Sequence, residues 1–390
     1  MSSRPGLSPS LIDQADAAMA RGDVRQAASL LELAAQRGRD STTLLRLATV
    51  RRSLGDIAGA TRAAEAGVDL SPRNFLMSLL LGSLREAASA YHAAERAYRF
   101  ACACAPPDMA LQPRIEQQLA HARSRVAMAK EWRRALLEWH PSGDLLALTP
   151  SEERRIRHFR TNVLENLDAD QLVPPVFIVP GLRDKRYFEA GSFAGVNLLE
   201  RDTDEIRNEF HALVEHCWGD FAVRLAGLRH AEHDAGRVGS WSMIPLVRNG
   251  RVVEEFASRC PRTMAVTREL DQPELGLISP SLYFSVLEPN SRIAPHTGIT
   301  NARVILHLPL IVPDDCGFRV GGETRSWEEG RAMVFDDMTT HEAWNDSDRM
   351  RVVLIADLWR PELSKRERGA IAELMRYPES PEDRELASAR

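Results

Sequence analysis

A period of about 34 residues runs through the first 105 positions of this 390-residue chain. Gly22-Asp23, Gly55-Asp56 and Ser89-Ala90 open matching segments at spacings of 33 and 34, and five residues after each comes a small residue, Ala27, Ala60 or Ala94. Pro72 and Pro106, again 34 apart, close the second and third units, and Gly82 stands ahead of a helical stretch as Ala48 does one unit earlier. Small residues at fixed positions let two helices of a hairpin approach closely, and a proline ends the second helix. A non-repetitive bundle of α-hairpins is the alternative, and both make this region helical.

The period, the small residues and the terminal proline resemble the tetratricopeptide repeat. Residues 109–139 continue with apolar residues at helical spacing (Leu119, Val126, Trp132, Leu136) and read as a capping or connecting helix. After Pro141-Ser-Gly-Asp, another charged helix starts at Pro150, with Ser151 as its expected N-cap. Beyond Val173-Pro-Pro the pattern changes to short β-branched and aromatic runs: Val176–Val179, Trp241–Val247, Leu282–Leu287, Val304–Ile311, Ala332–Phe335 and Arg351–Trp359. One strong helix, around Thr203–Leu228, interrupts them. This is the signature of an all-β barrel or sandwich. The expected organisation is helical repeats over 1–140, a helical linker over 141–172, a β domain over 173–365 and a charged, solvated helix and tail over 366–390.

With 44% hydrophobic and 27% charged residues each part can bury a core, and a net charge of −5 offers no footprint for nucleic acid. No apolar run approaches the ~20 residues of a membrane span. Five scattered cysteines and an N-terminus without a targeting pattern lead to the expectation of a cytoplasmic protein with no membrane partner.

The chemistry-bearing stretch is Ser281 to Trp359. His296 and His341, 45 residues apart, each stand at a strand-to-turn junction, and a closed barrel can bring two such strand ends to one mouth. Ten residues after His341, Arg351 opens a strand that is apolar on both faces. A buried guanidinium there needs an anion, either a ligand carboxylate or one of Asp336, Asp337 and Asp357. Asp336 and Asp337 read as shaping the turn before His341. Arg303 and His307 share one strand face.

The strings Pro295-His-Thr-Gly298, Thr300-Asn-Ala-Arg303, His307-Leu-Pro-Leu310, Glu323-Thr-Arg-Ser-Trp-Glu-Glu-Gly330, Phe335-Asp-Asp337, His341-Glu-Ala-Trp344 and Asp357-Leu-Trp359, in this order, resemble the aspartyl/asparaginyl β-hydroxylases, a family of iron(II)- and 2-oxoglutarate-dependent dioxygenases. The resemblance covers about Phe177 to Leu363, and repeats ahead of the hydroxylase domain fit the family's layout. It implies a double-stranded β-helix (jelly-roll or cupin-like) domain, with Fe(2+), 2-oxoglutarate and O2 as metal and cosubstrates. His296 and His341 would ligate the iron, Arg351 and Ser285 would hold the distal carboxylate of 2-oxoglutarate, and His307 would contact the cosubstrate. Arg303 would lie near the substrate, with a surface arginine as the alternative. Where most such oxygenases place a third, carboxylate ligand this chain has Gly298, as the family does. Ile305 replaces an arginine of the animal members. The implied activity is hydroxylation of the β-carbon of aspartyl or asparaginyl residues in a peptide or protein, engaged through the repeats. A free amino acid or small peptide substrate, or an inert barrel on a repeat adaptor, are the alternatives.

Overall fold

The computed structural model describes residues 10–38, 40–88, 91–106, 112–168, 176–227, 241–248, 250–276 and 278–376. The chain divides into two compact units, Met1–Ala127 and Met128–Arg390.

The first unit stacks three helical hairpins: α1 (Leu11–Ala20) with α2 (Val24–Arg37), α3 (Ser41–Ser53) with α4 (Ile57–Leu70), and α5 (Phe75–Ala87) with α6 (Tyr91–Cys104). These are tetratricopeptide-like repeats, followed by α7 (Pro113–Glu138), within which the division between the units falls. The Gly-Asp pairs mark the turn inside a hairpin. Gly22 and Gly55 have φ of 79° and 78°, the left-handed region open to glycine, while Asp23 and Asp56 cap the second helix through side-chain acceptors. The third such pair, Ser89-Ala90, lies outside the described residues. Ala27, Ala60 and Ala94 are all buried at the helix contacts. Gly82 sits inside α5, not ahead of a helix, and the Tyr98 ring fills the space that a Cβ would take. Arginines recur at the same period. Arg51 donates to Gly59 O and to Glu32, and Arg85 to Ala93 O and to Glu65, so each ties its own second helix to the preceding hairpin.

In the second unit α8 (Pro150–Asp168) is capped by Thr149 and not by Ser151. Thr149 Oγ1 accepts from Glu152 N and Glu152 returns a carboxylate to Thr149 N, with Pro150 at the first helical position, where its missing N–H is harmless. The other helices are α9 (Val196–Arg201), α10 (Thr203–Gly227), α11 (Glu254–Ala257), α12 (Pro261–Thr267) and α13 (Lys365–Met375). The charged sequence of α13 suggests a solvated element, yet Ala370, Ile371, Leu374 and Met375 are buried beside Trp132, Ile156 and Phe159. Residues 377–390 lie outside the described residues.

The strands are β1 (Tyr187–Phe188), β2 (Trp241–Arg248), β3 (Arg251–Val252), β4 (Leu282–Leu287), β5 (Ser291–His296), β6 (Arg303–Ile311), β7 (Cys316–Val320), β8 (Glu323–Arg325), β9 (Met333–Phe335), β10 (His341–Asn345) and β11 (Arg351–Trp359). Val176–Val179 forms no strand. Phe177 makes one isolated bridge to Thr300, and the Asn301 side chain takes up the backbone of Val179. One sheet runs β1-β9-β6-β11-β4-β2-β3 and the other β5-β10-β7-β8, every pairing antiparallel. From β4 onward the chain crosses repeatedly between the two sheets, which gives a double-stranded β-helix. On β11, Val352, Leu354, Ala356 and Leu358 pack in the core shared with α9, α10 and α12, while Val353 and Ile355 belong to the core between the sheets. That two-sided burial explains the strand's unbroken apolar run.

Candidate active site

The turn Glu288-Pro-Asn-Ser291, with Asn290 at φ 52°, reverses the chain from β4 into β5, and β5 ends on His296. The β10 strand begins on His341, directly opposite His296 in the antiparallel register, with an irregularity between His341 and Ala343. The two imidazoles lie with ring centroids 4.1 Å apart and planes at 54°. Nδ1 of His296 is 2.8 Å from Ala294 O, and Nδ1 of His341 is 3.0 Å from Thr339 O. A carbonyl oxygen only accepts, so each Nδ1 carries a proton, and in the neutral ring it is Nε2 that a metal would take. Asp336 shapes the turn that presents Thr339, accepting from Met338 N and bonding Thr339 N through its carbonyl.

Both histidines line a cavity of about 260 Å³ between the sheets, together with Ser285, Arg303, His307 and Arg351. The structure thus brings every site residue singled out in the sequence to one place. Arg351 is 1% exposed. Its Nη1 donates to Ser285 Oγ at 3.3 Å and its guanidinium lies 4.9 Å from the Trp327 ring centre. Nε and Nη2 have no hydrogen-bond partner, and burial pushes the guanidinium pKa down to about 10. None of the three acids offered by the sequence serves it: Asp336 pairs with the buried Arg360, and Asp337 and Asp357 pair with Arg303. Ser285 Oγ also accepts from Trp241 Nε1 at 2.9 Å, so its own proton is left to donate elsewhere. His307 packs among Phe318, Phe335 and Trp327, and burial among them holds its pKa well below the usual imidazole range.

Arg303 is no surface residue. Both its terminal nitrogens are committed, one to Asp357 and one to Asp337 at 3.3 Å, and the side chain lines the cavity. Asp357 is in turn fixed by Ser279 and by Ser281 N. Gly298 N donates to Asp337 O at 2.7 Å, and a Cβ at 298 would run into the Asp337 carboxylate, whose Oδ1 has no hydrogen-bond partner. Burial pushes the Asp337 pKa up to about 7. The sequence did not single out Trp241, Met243, Tyr283 or Ile293, which complete the wall. Their signal was only the period of two on β2, β4 and β5.

Among the described residues no group of three or more His, Cys, Asp or Glu side chains forms a metal-holding set, and no helix is long and apolar enough to cross a membrane. What the fold and site define is a cupin-like β-helix protein with a paired-histidine pocket. Residues 200–361 match the model of the Aspartyl/Asparaginyl beta-hydroxylase family, and this part of the chain is similar to that hydroxylase family. The chain is 32% identical over 200 residues to the mouse aspartyl/asparaginyl beta-hydroxylase, covering 50% of this chain and 26% of that protein. It is 33% identical over 203 residues to human aspartate beta-hydroxylase domain-containing protein 2 (51% and 53%) and 37% identical over 180 residues to the ornithine lipid ester-linked acyl 2-hydroxylase of Rhizobium tropici (45% and 60%).

Proposed function

We propose that the chain is an iron(II)- and 2-oxoglutarate-dependent hydroxylase. The observation that carries this reading is Arg351, a buried cation with two unpartnered nitrogens in the same cavity as a pair of imidazoles in the ligating tautomer. An orphaned buried guanidinium is stable only where a carboxylate arrives to meet it.

The residues fit the group. Nε2 of His296 and of His341 would hold the ferrous ion, and Gly298 offers no third side-chain ligand. With 2-oxoglutarate and dioxygen, such an ion supplies oxidative decarboxylation of the keto acid coupled to insertion of one oxygen atom into a C–H bond. Arg351 and the Ser285 hydroxyl would take the distal carboxylate of the cosubstrate. Held neutral by burial, His307 adds a ring edge without adding charge. The aromatic wall of Phe318, Trp327 and Phe335 keeps water from the reacting atoms.

The implied target, the β-carbon of an aspartyl or asparaginyl residue, and the acyl 2-position named for the Rhizobium relative share one chemical feature: a methylene directly beside a carbonyl. We take such a methylene, in a peptide or acyl chain offered at the mouth, as the target. The helical repeats would supply a surface for a peptide or protein substrate. The test is iron-dependent conversion of 2-oxoglutarate to succinate, with iron binding followed separately by quenching of tryptophan fluorescence. His341→Ala should abolish both, and unchanged iron binding in that variant overturns the metal assignment.

A further inference from the structure

The strand that carries Ser285 turns a second hydroxyl toward the same cavity. Side chains two residues apart share a strand face, so Tyr283 stands roughly 7 Å along β4 from Ser285, and both line the chamber. Among the described residues the Tyr283 hydroxyl meets no hydrogen-bond partner. Neither acid whose charge reaches it takes its proton. Asp357 spends one oxygen on Arg303 and the other on Ser279 and Ser281 N, while Asp337 Oδ1 stays without a partner. Loss of solvent, reinforced by the charge of Asp357, holds the phenol well above its usual pKa, so it remains a neutral donor.

The register fixes what lies across from it. Tyr283 faces Ile355 on β11, and Ile355 faces His307 on β6. The phenol and the imidazole therefore stand at the two ends of one row, two strand spacings or roughly 10 Å apart, with Ile355 as the floor between them. His307 Nδ1 is likewise buried without a hydrogen-bond partner. One row further along, Ser285 faces Val353, and one row beyond that Arg351 faces Leu287. The chamber thus has two polar stations joined by an apolar stretch of β11. Arg351 and Ser285 form the deep one, with two guanidinium nitrogens to offer, and Tyr283 and His307 form the other. A five-carbon chain with a carboxylate at each end matches this layout, its methylenes lying over β11 and its oxygens at the two stations.

On the reading that the cavity takes 2-oxoglutarate with its distal carboxylate on Arg351 and Ser285, we infer that the Tyr283 hydroxyl donates a hydrogen bond to the other carboxylate, at the keto end of the cosubstrate. Tyr283 is then a binding residue of the site, working from the side of the row opposite His307.

The test uses the full chain loaded with Zn(II) and 2-oxoglutarate labelled with carbon-13 in both carboxylates. Calorimetry gives the dissociation constant, and NMR gives the two carboxylate resonances of the bound acid. Tyr283→Phe, which keeps the ring and removes only the oxygen, should weaken binding about tenfold, the loss of one hydrogen bond to a charged group. It should displace the keto-end resonance and leave the distal one in place. Ser285→Ala should do the reverse. Unchanged affinity in Tyr283→Phe, or equal displacement of both resonances, overturns the assignment, because a packing role alone would not single out one carboxylate. That result, with the parent still binding 2-oxoglutarate, leaves the hydroxylase reading standing. A parent chain that takes Zn(II) and binds no 2-oxoglutarate sinks that reading, and the assignment of Tyr283 falls with it.

Discussion

Replacing Arg351 with methionine should strengthen the fold while weakening the cosubstrate site. Burial pushes the guanidinium pKa from its ordinary value down to about 10, and at ~1.4 kcal/mol per pKa unit this amounts to roughly 3 kcal/mol held against the folded state. Two unpartnered nitrogens, at ~1–3 kcal/mol each, lead independently to the same range. Against this, the variant loses the bond to Ser285 and the contact with Trp327, together about 1 kcal/mol. Arg351→Met should therefore be more stable by ~1–2 kcal/mol in urea unfolding of the ligand-free chain. The pH dependence has a definite sign. The folded chain releases the Arg351 proton first, so from about pH 10 up to the ordinary arginine range it binds fewer protons than the unfolded chain, and the penalty is relieved as pH rises through that window. The gap between variant and parent should close over the same interval. Conversely, 2-oxoglutarate should raise the midpoint of the parent and leave that of the variant almost unmoved. A variant less stable than the parent, or one that still gains from 2-oxoglutarate, would refute both the orphaned charge and its role.

Gly298→Asp should not create a third metal ligand. The new carboxylate meets that of Asp337, so thermal stability should fall by ~1–3 kcal/mol and iron content, read by elemental analysis, should drop; higher iron content would contradict the crowding argued here. In the repeats, Gly82→Ala drives a methyl into the Tyr98 ring, itself tied to Glu86 by a 2.7 Å bond, and should cost about 1–3 kcal/mol in the helical unfolding transition, whereas an unaltered transition would mean that the ring yields freely.

Much of the site was legible because its chemistry sits on strands whose period of two is unambiguous. Arg351, His307 and Arg303 fall on β11 and β6, and both runs are long enough to fix which face each side chain takes. His296 and His341 were recognisable as strand-end residues, but their direct opposition depends on β5 and β10 pairing across 45 residues, a long-range contact with no local signal. The partner of Arg303 was hidden for the same reason. Asp357 is 54 residues away and reaches it only because β11 lies against β6. Val176–Val179 looked like a strand by composition, yet the neighbouring backbone offers one bridge and the Asn301 amide takes up the backbone beside it. Conversely, α13 reads as polar because four buried apolar residues are diluted by charges on its outer face.

The recurring guanidinium of the hairpins has a consequence for anyone who shortens this chain. Because Arg51 reaches back to Glu32 and Arg85 back to Glu65, each hairpin borrows a carboxylate from the one ahead of it. Trimming from the amino end thus strips Arg51 of Glu32, leaving it the longer 3.7 Å pair with Asp56, and then Arg85 of Glu65, and the array should lose cohesion stepwise from that side.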